Sequence, residues 1–168
     1  MRRVDCVTVL ILACLTPALA TAADEIGRES LKGLRAVHVV IERMSPEAER
    51  DGLPRDTIQT DVELKLRQAG ITVSSKSEPP AFAYIYVNVN TLKAAPPTSG
   101  LYAYCVHVEL VQGVTLARNA KALTYAPTWH AVGSVGTVGA VNLSRVREVV
   151  RDAVDEFIND YLAVNSKR

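Results

Sequence analysis

Apolar and polar residues alternate along much of this chain with the period of a β-strand. In residues 81–92, every second residue from Ala83 to Val89 is apolar, and tyrosine or asparagine stands between them. Because successive side chains of a strand point to opposite faces of a sheet, this alternation predicts a strand with one buried and one open face. Further strands are predicted for residues 34–44, 71–73, 101–116 and 120–132.

Two other stretches repeat their apolar residues at helical spacing. In residues 55–69 an apolar residue recurs every three or four positions along one face, and Gly70 follows where a C-terminal cap belongs. Residues 143–162 carry a broader apolar stripe that includes Phe157, and Ser144 stands where it can cap the start of a helix. Each predicted helix is apolar on one side only, so each is expected to pack against a sheet.

The order of these elements is β-α-β-β-β-β-α, which predicts an α+β fold. We expect a mixed, mainly antiparallel sheet with the two helices packed on one face, and a first strand-helix-strand unit whose strands are parallel. The opposite face of the sheet is expected to stay open. Residues 34–168 contain no linker that divides them and form a single predicted domain, whereas residues 21–33 are polar and are expected to be a flexible lead-in.

The first twenty residues have the pattern of a cleavable secretion signal. Arg2 and Arg3 precede a mostly apolar run, and small residues at Ala18 and Ala20 form a signal-peptidase site, which places cleavage after Ala20. The apolar run is shorter than the roughly 20 residues that a membrane-spanning helix needs. We therefore expect residues 1–20 to be a signal peptide and the protein to be exported, to the periplasm or the extracellular space.

A second processing route is open at Cys14. The residues that end at Cys14 loosely match a bacterial lipobox, in which the cysteine is lipidated and becomes the new N-terminus. Two acyl chains on that cysteine would hold the protein at a membrane surface. The minor alternative is therefore a lipoprotein with peripheral membrane association.

Charge and cysteine content narrow the range of partners. The full chain carries 19 basic and 18 acidic residues, and residues 1–20 hold two arginines and one aspartate, so the mature chain is formally neutral. A neutral chain without a block of lysine and arginine is not expected to bind nucleic acid. Only Cys105 lies outside residues 1–20, so the mature monomer has no internal disulfide.

Cysteine and histidine provide the one candidate for metal or thiol chemistry. Cys105 and His107 alternate on a predicted strand and point the same way, and thiolate with imidazole suits zinc or copper. The chain nevertheless has no CxxC, HxxH or HExxH spacing, and it lacks the GxSxG motif of hydrolases. A lone cysteine in a strand is typical of a small packing residue. We therefore predict no metal, no cofactor and no enzymatic activity.

The open face of the predicted sheet is the candidate binding site. Four polar residues of the strand 81–92 are two positions apart and form one continuous row. Tyrosine offers a broad contact area with a polar tip and is enriched at the centres of interfaces, although an ordinary solvated sheet face also accounts for the pattern. The candidate binding residues are Tyr84, Tyr86, Asn88, Asn90, His107 and Trp129.

Three segments resemble those of small, uncharacterised exported bacterial proteins, namely residues 58–64 (IQTDVEL), 86–90 (YVNVN) and 133–139 (GSVGTVG). In element order the domain is similar to envelope-assembly modules: the lipopolysaccharide-assembly lipoprotein of the outer membrane, the N-terminal domain of the Tol-system propeller protein, and lipoprotein activators of penicillin-binding proteins. That resemblance implies a module that binds other envelope components and performs no chemistry.

Three classes of function are thus compatible with the sequence. A non-catalytic exported module for binding or scaffolding in the cell envelope comes first, because the core pattern is complete and no active-site motif interrupts it. A protein that binds a small ligand or a metal on the open face comes second, and a hydrolase or thiol enzyme third. The expected partner is accordingly an envelope protein or a small ligand.

Overall fold

The computed structural model describes residues 25–75, 83–96 and 100–165. The predicted signal peptide and Cys14 lie outside these residues. The strands are β1 (Ala36–Ile41), β2 (Thr72–Val73), β3 (Ala83–Lys93), β4 (Leu101–Leu116), β5 (Asn119–His130) and β6 (Ser134–Gly139). The helices are α1 (Pro46–Arg50), α2 (Arg55–Gln68) and α3 (Val146–Asn165), and a 3₁₀ helix (Ala140–Arg145) leads into α3.

The strands form one six-stranded sheet in the order β2-β1-β3-β4-β5, and β6 also pairs with β4. Strand β1 is parallel to both β2 and β3, whereas β4 is antiparallel to β3, β5 and β6. The predicted α+β fold, with a mixed and mainly antiparallel sheet, is confirmed. The parallel pairing of β1 with β2 follows from the crossover through α1 and α2.

The core lies between the sheet and the helices α2 and α3. Apolar residues at alternate positions of the strands and at helical spacing on α2 and α3 are buried there, because each element has only one apolar side. Among the predicted core residues of α3, Val154 and Phe157 are fully buried, and Val149 and Ile158 are partly buried against them. Buried residues of the strands and helices include Val37, Val39, Ile58, Val62, Leu66, Ile85, Val87, Val106, Val108, Leu110 and Val150.

One strand was not predicted from the sequence. The chain leaves β5 at His130, and after a short break β6 continues along the same side of β4. Gly136 has a packing role in this strand. A Cβ atom added there would lie 2.6 Å from the hydroxyl oxygen of Tyr104, so only glycine leaves room for this ring to cover the strand.

The predicted flexible lead-in is wrong for its described part, residues 25–33. Residues 25–29 are helical, and Leu31 is fully buried in the core. The side-chain amide of Asn165 donates to the Leu31 carbonyl at 2.9 Å, and its Oδ1 accepts from the Gly33 N–H at 2.8 Å. The burial of Leu31 and these hydrogen bonds to the end of α3 attach the segment to the domain.

No helix among residues 25–75, 83–96 and 100–165 combines the length and the apolar character that crossing a membrane requires.

Candidate binding surface on the open sheet face

The face of the sheet opposite α2 and α3 carries the four predicted polar residues of β3. We call Tyr84, Tyr86, Asn88 and Asn90 the polar row. They alternate with the buried residues of β3, and the exposure of the row increases from the half-buried tyrosines to the exposed Asn90. The prediction that these side chains share the face opposite the core is confirmed by this alternation.

Glu42, the residue that follows β1, joins the polar row by hydrogen bonds. Its backbone N–H donates to the Val87 carbonyl at 2.9 Å, which continues the parallel pairing of β1 with β3 by one residue. Its Oε2 accepts a hydrogen bond from the Tyr86 hydroxyl at 2.5 Å and another from the Asn88 side-chain amide. Asn90 in turn donates to Oδ1 of Asn88. The row is therefore held by a chain of side-chain hydrogen bonds that starts at one carboxylate.

The same carboxylate controls the ionisation of Tyr86. The hydrogen bond to Glu42 raises the pKa of Tyr86 to about 12, and burial and the negative charge of Glu42 act in the same direction. Tyr86 is consequently neutral at any physiological pH, and its hydroxyl hydrogen is committed to Glu42. A ligand that approaches this residue meets the aromatic ring and an acceptor lone pair.

The two tyrosine rings of the row contact each other, and an imidazole group lies beside them on β1. The rings of Tyr84 and Tyr86 stand edge to face, with centroids 6.5 Å apart. His38, which lies next to Tyr84 in the parallel register, has its Nδ1 2.9 Å from the Ser74 carbonyl oxygen. These contacts restrict the rotation of His38 and Tyr84, so that less side-chain entropy is lost when a partner binds.

Strand β4 brings Cys105 and His107 to the other side of the row. In the antiparallel register Asn90 lies opposite Cys105, and Asn88 lies opposite His107. The Cys105 Sγ is 3.0 Å from Nε2 of His107. Catalysis by a cysteine and a histidine uses a third group to orient the histidine, and the described residues place no hydrogen-bond partner on Nδ1 of His107. They also hold no group of three side chains suited to bind a metal ion.

Trp129 does not belong to the open face, so this part of the predicted site is wrong. Its side chain is only 3% exposed, and its ring lies edge to face with Phe157 at a centroid distance of 5.2 Å. Its Nε1 donates to Oδ2 of Asp160 on α3 at 2.9 Å. The reason is the register, because Trp129 lies opposite the fully buried Leu110 and therefore shares its face.

A neighbouring histidine occupies the position that was predicted for the tryptophan. His130 is exposed and lies opposite Glu109, whose neighbour on β3 is Tyr86. The cavity next to Trp129 has a volume of about 170 Å³, below the roughly 300–1,000 Å³ typical of small-molecule pockets. This cavity lies on the helix side of the sheet, so it is separate from the open face.

No protein-family model matches the chain, and no curated protein sequence matches it. Solved structures with a similar arrangement include a minor lipoprotein from Acinetobacter baumannii, at 11% identity and a TM-score of 0.35, with 77% of this chain and 94% of that chain covered. Another is the rare lipoprotein B from Shewanella oneidensis, at 16% identity and a TM-score of 0.31, with 75% and 93% covered. Both are bacterial lipoproteins.

Proposed function

We propose that this protein is a non-catalytic, exported binding module of the cell envelope and that the polar row with Glu42 is its contact surface. The observation that carries the proposal is the hydrogen-bonded chain from Glu42 through Tyr86 and Asn88 to Asn90, on a sheet face that no described element covers. A sheet face that only contacts solvent does not require hydrogen bonds between its side chains. A row that is fixed before contact reduces the entropy lost on binding.

The chemistry of the row favours a protein partner over a small ligand. The two tyrosines offer flat aromatic area, and the two asparagine amides offer donors and acceptors without charge. The row lies on a strand surface rather than in an enclosed cavity, and an extended surface of this kind fits the face of another envelope protein. A small ligand or a metal on the same face is the alternative outcome of the test.

The test uses a double substitution in the row. The Tyr84→Ala/Tyr86→Ala variant removes the aromatic area but leaves every buried residue of β3 in place. We expect a folded protein, with an unchanged far-UV circular dichroism spectrum, that no longer retains its partner in an affinity pull-down from envelope extract. Tyr125→Ala on β5 is the matched control, because it removes an exposed tyrosine outside the row and should leave the pull-down unchanged.

Three outcomes would contradict the proposal. If the double variant retains the same envelope protein as the wild type, the row is not the contact surface. If the variant fails to fold, the half-buried tyrosines stabilise the domain and are not primarily a contact surface. If the native protein co-purifies with a small molecule and no protein partner, the ligand-binding alternative replaces the proposal.

The exported location has a separate test. Mass spectrometry of the protein isolated from its native host should give an N-terminus at or near Thr21. An acylated Cys14 at the N-terminus would keep the envelope location and change the route to it. A soluble protein that retains Met1 would rule out an envelope function.

A further inference from the structure

The outer edge of β6 is open. Among the described residues β6 pairs with β4 alone, so one side of the strand carries backbone N–H and C=O groups with no partner strand. Such an edge is a template for pairing with another chain, and natural proteins protect their edges with charged residues, proline or bulges.

Strands β5 and β6 lie along the same side of β4 but differ in how their outer edges are protected. Strand β5 contains Lys121 and Pro127, and its pairing with β4 is interrupted by shifts of register. Strand β6 pairs regularly from Ser134 to Gly139, and no charged residue or proline occurs anywhere in residues 131–144. The edge is thus protected along β5 and unprotected along β6.

Exposed apolar side chains lie on β6, just after it, and at the neighbouring ends of β3 and β4. Val135 on β6 is 80% exposed, and Val141, which packs near Gly139, is 93% exposed. Leu92 is 73% exposed and lies in register with Ala103 and Thr137. Leu101, opposite Gly139, completes the group. We call Leu92, Leu101, Val135 and Val141 the apolar corner.

We propose that β6 pairs antiparallel with β6 of a second copy of this chain, and that Val135 of the apolar corner lies at that contact. A two-fold contact sets each side chain against the same patch of the other copy, so a charged patch would repel itself. The neutral segment 131–144 has no such repulsion. A second copy also supplies a strand of the same length with the same unprotected edge.

The alternation of side chains limits the possible registers. Residues opposite each other in an antiparallel pair lie on the same face, so the two-fold axis passes beside a residue and not between two residues. An axis at Gly136 places Val135 opposite Thr137 of the second copy, which pairs two β-branched side chains on the open face. On the helix side, the ring of Tyr104 already covers Gly136.

The dimer has a consequence for the open face. The axis is perpendicular to the sheet, so both open faces point the same way in one continuous sheet. Strand β3 of each copy is separated from its counterpart by five strand spacings, or roughly 24 Å. The two polar rows would then form a bivalent surface, which goes beyond the function proposed for one copy.

The experiment is sedimentation equilibrium of the purified protein over a concentration range of roughly 1–200 µM. We expect the wild type to dimerise reversibly. Val135→Lys places two lysines beside the axis and should raise the dissociation constant at least about tenfold. Leu64→Lys is the matched control, because Leu64 is 52% exposed and lies on α2, outside β6 and the apolar corner. This variant should dimerise like the wild type.

A third variant tests the register. In Val135→Lys/Thr137→Glu, each new lysine faces a glutamate of the other copy, so dimerisation should recover relative to Val135→Lys alone. A wild type that is monomeric at every concentration would overturn the proposal. So would a Val135→Lys variant that dimerises unchanged, and a double variant without recovery would overturn the register at Gly136. These results are independent of the pull-down with the polar row, because neither Val135 nor Thr137 belongs to that row.

Discussion

The hydroxyl of Tyr86 donates a 2.5 Å hydrogen bond to Oε2 of Glu42, which joins two strands that are far apart in the sequence. Because the parallel pairing of β1 with β3 sets this contact, it exists only in the folded protein. Its clearest physical signature is the pKa of Tyr86, which the contact raises to about 12 from an ordinary value of 10.0.

The first prediction is that Glu42→Gln lowers the pKa of Tyr86 toward its ordinary value. Glutamine still accepts a hydrogen bond from the phenol, but it lacks the charge that opposes formation of a phenolate. The measurement is an NMR titration of protein with 13C-labelled tyrosine, and Tyr86→Phe identifies the resonance. An unchanged titration in Glu42→Gln would mean that the carboxylate does not reach Tyr86 in solution.

The sequence could predict the polar row because the row depends on one strand only. Alternation at Tyr84, Tyr86, Asn88 and Asn90 is local, and a strand period of two decides which side each residue faces. Glu42 was not among the predicted site residues because its role depends on the register between β1 and β3. A register between strands separated by a crossover is not encoded by either strand alone.

The face of Trp129 and the existence of β6 could not be predicted from the alternation within one strand. The pairing of β4 with β5 shifts between Leu110 and Val111, so counting residues along the chain does not give the face of Trp129. In β6, small residues weaken the period that would reveal a strand. The space that Gly136 leaves for Tyr104 becomes visible only once β4 and β6 are paired.

The second prediction concerns Phe157, which connects α3 to the sheet. The side chain is fully buried between the rings of Trp129 and Tyr161. Phe157→Ala should therefore lower the free energy of unfolding by about 3–5 kcal/mol, measured by urea denaturation. Leu64→Ala, at an exposed position of α2, is the control and should change it little. A shift in melting temperature of under about 3 °C for Phe157→Ala would place α3 outside the core.

The third prediction concerns acid stability at Asp51, the residue at the C-terminus of α1. Its Oδ2 accepts hydrogen bonds from Lys93 Nζ at 2.6 Å and from Tyr102 Oη at 2.7 Å. The bond from Lys93, followed by that from Tyr102, lowers the pKa of Asp51 below its ordinary value of 3.8. A carboxyl group with a lower pKa in the folded state contributes stability above its unfolded pKa and loses it as the pH falls through the folded pKa.

Asp51→Asn should accordingly destabilise the protein most at neutral pH, and its effect should fade as the pH drops below the ordinary value of 3.8. The measurement is the difference in unfolding free energy between variant and wild type at several pH values. Asp56→Asn is the control, since the Asp56 side chain is 96% exposed and should give a small difference at every pH. A difference for Asp51→Asn that stays constant with pH would contradict the assignment.

The last prediction separates the structural role of Trp129 from the binding role of the polar row. Trp129→Phe keeps an aromatic ring against Phe157 but removes the N–H that donates to Asp160, whose other oxygen accepts from Arg28 at 2.7 Å. Loss of a hydrogen bond to a partly buried carboxylate should cost about 1–2 kcal/mol of unfolding free energy. Because Trp129 faces the helices, the variant should still retain the envelope partner that the Tyr84→Ala/Tyr86→Ala variant loses. A Trp129→Phe variant with normal stability that fails to bind would return Trp129 to the contact surface and remove the basis for assigning that surface to the row alone.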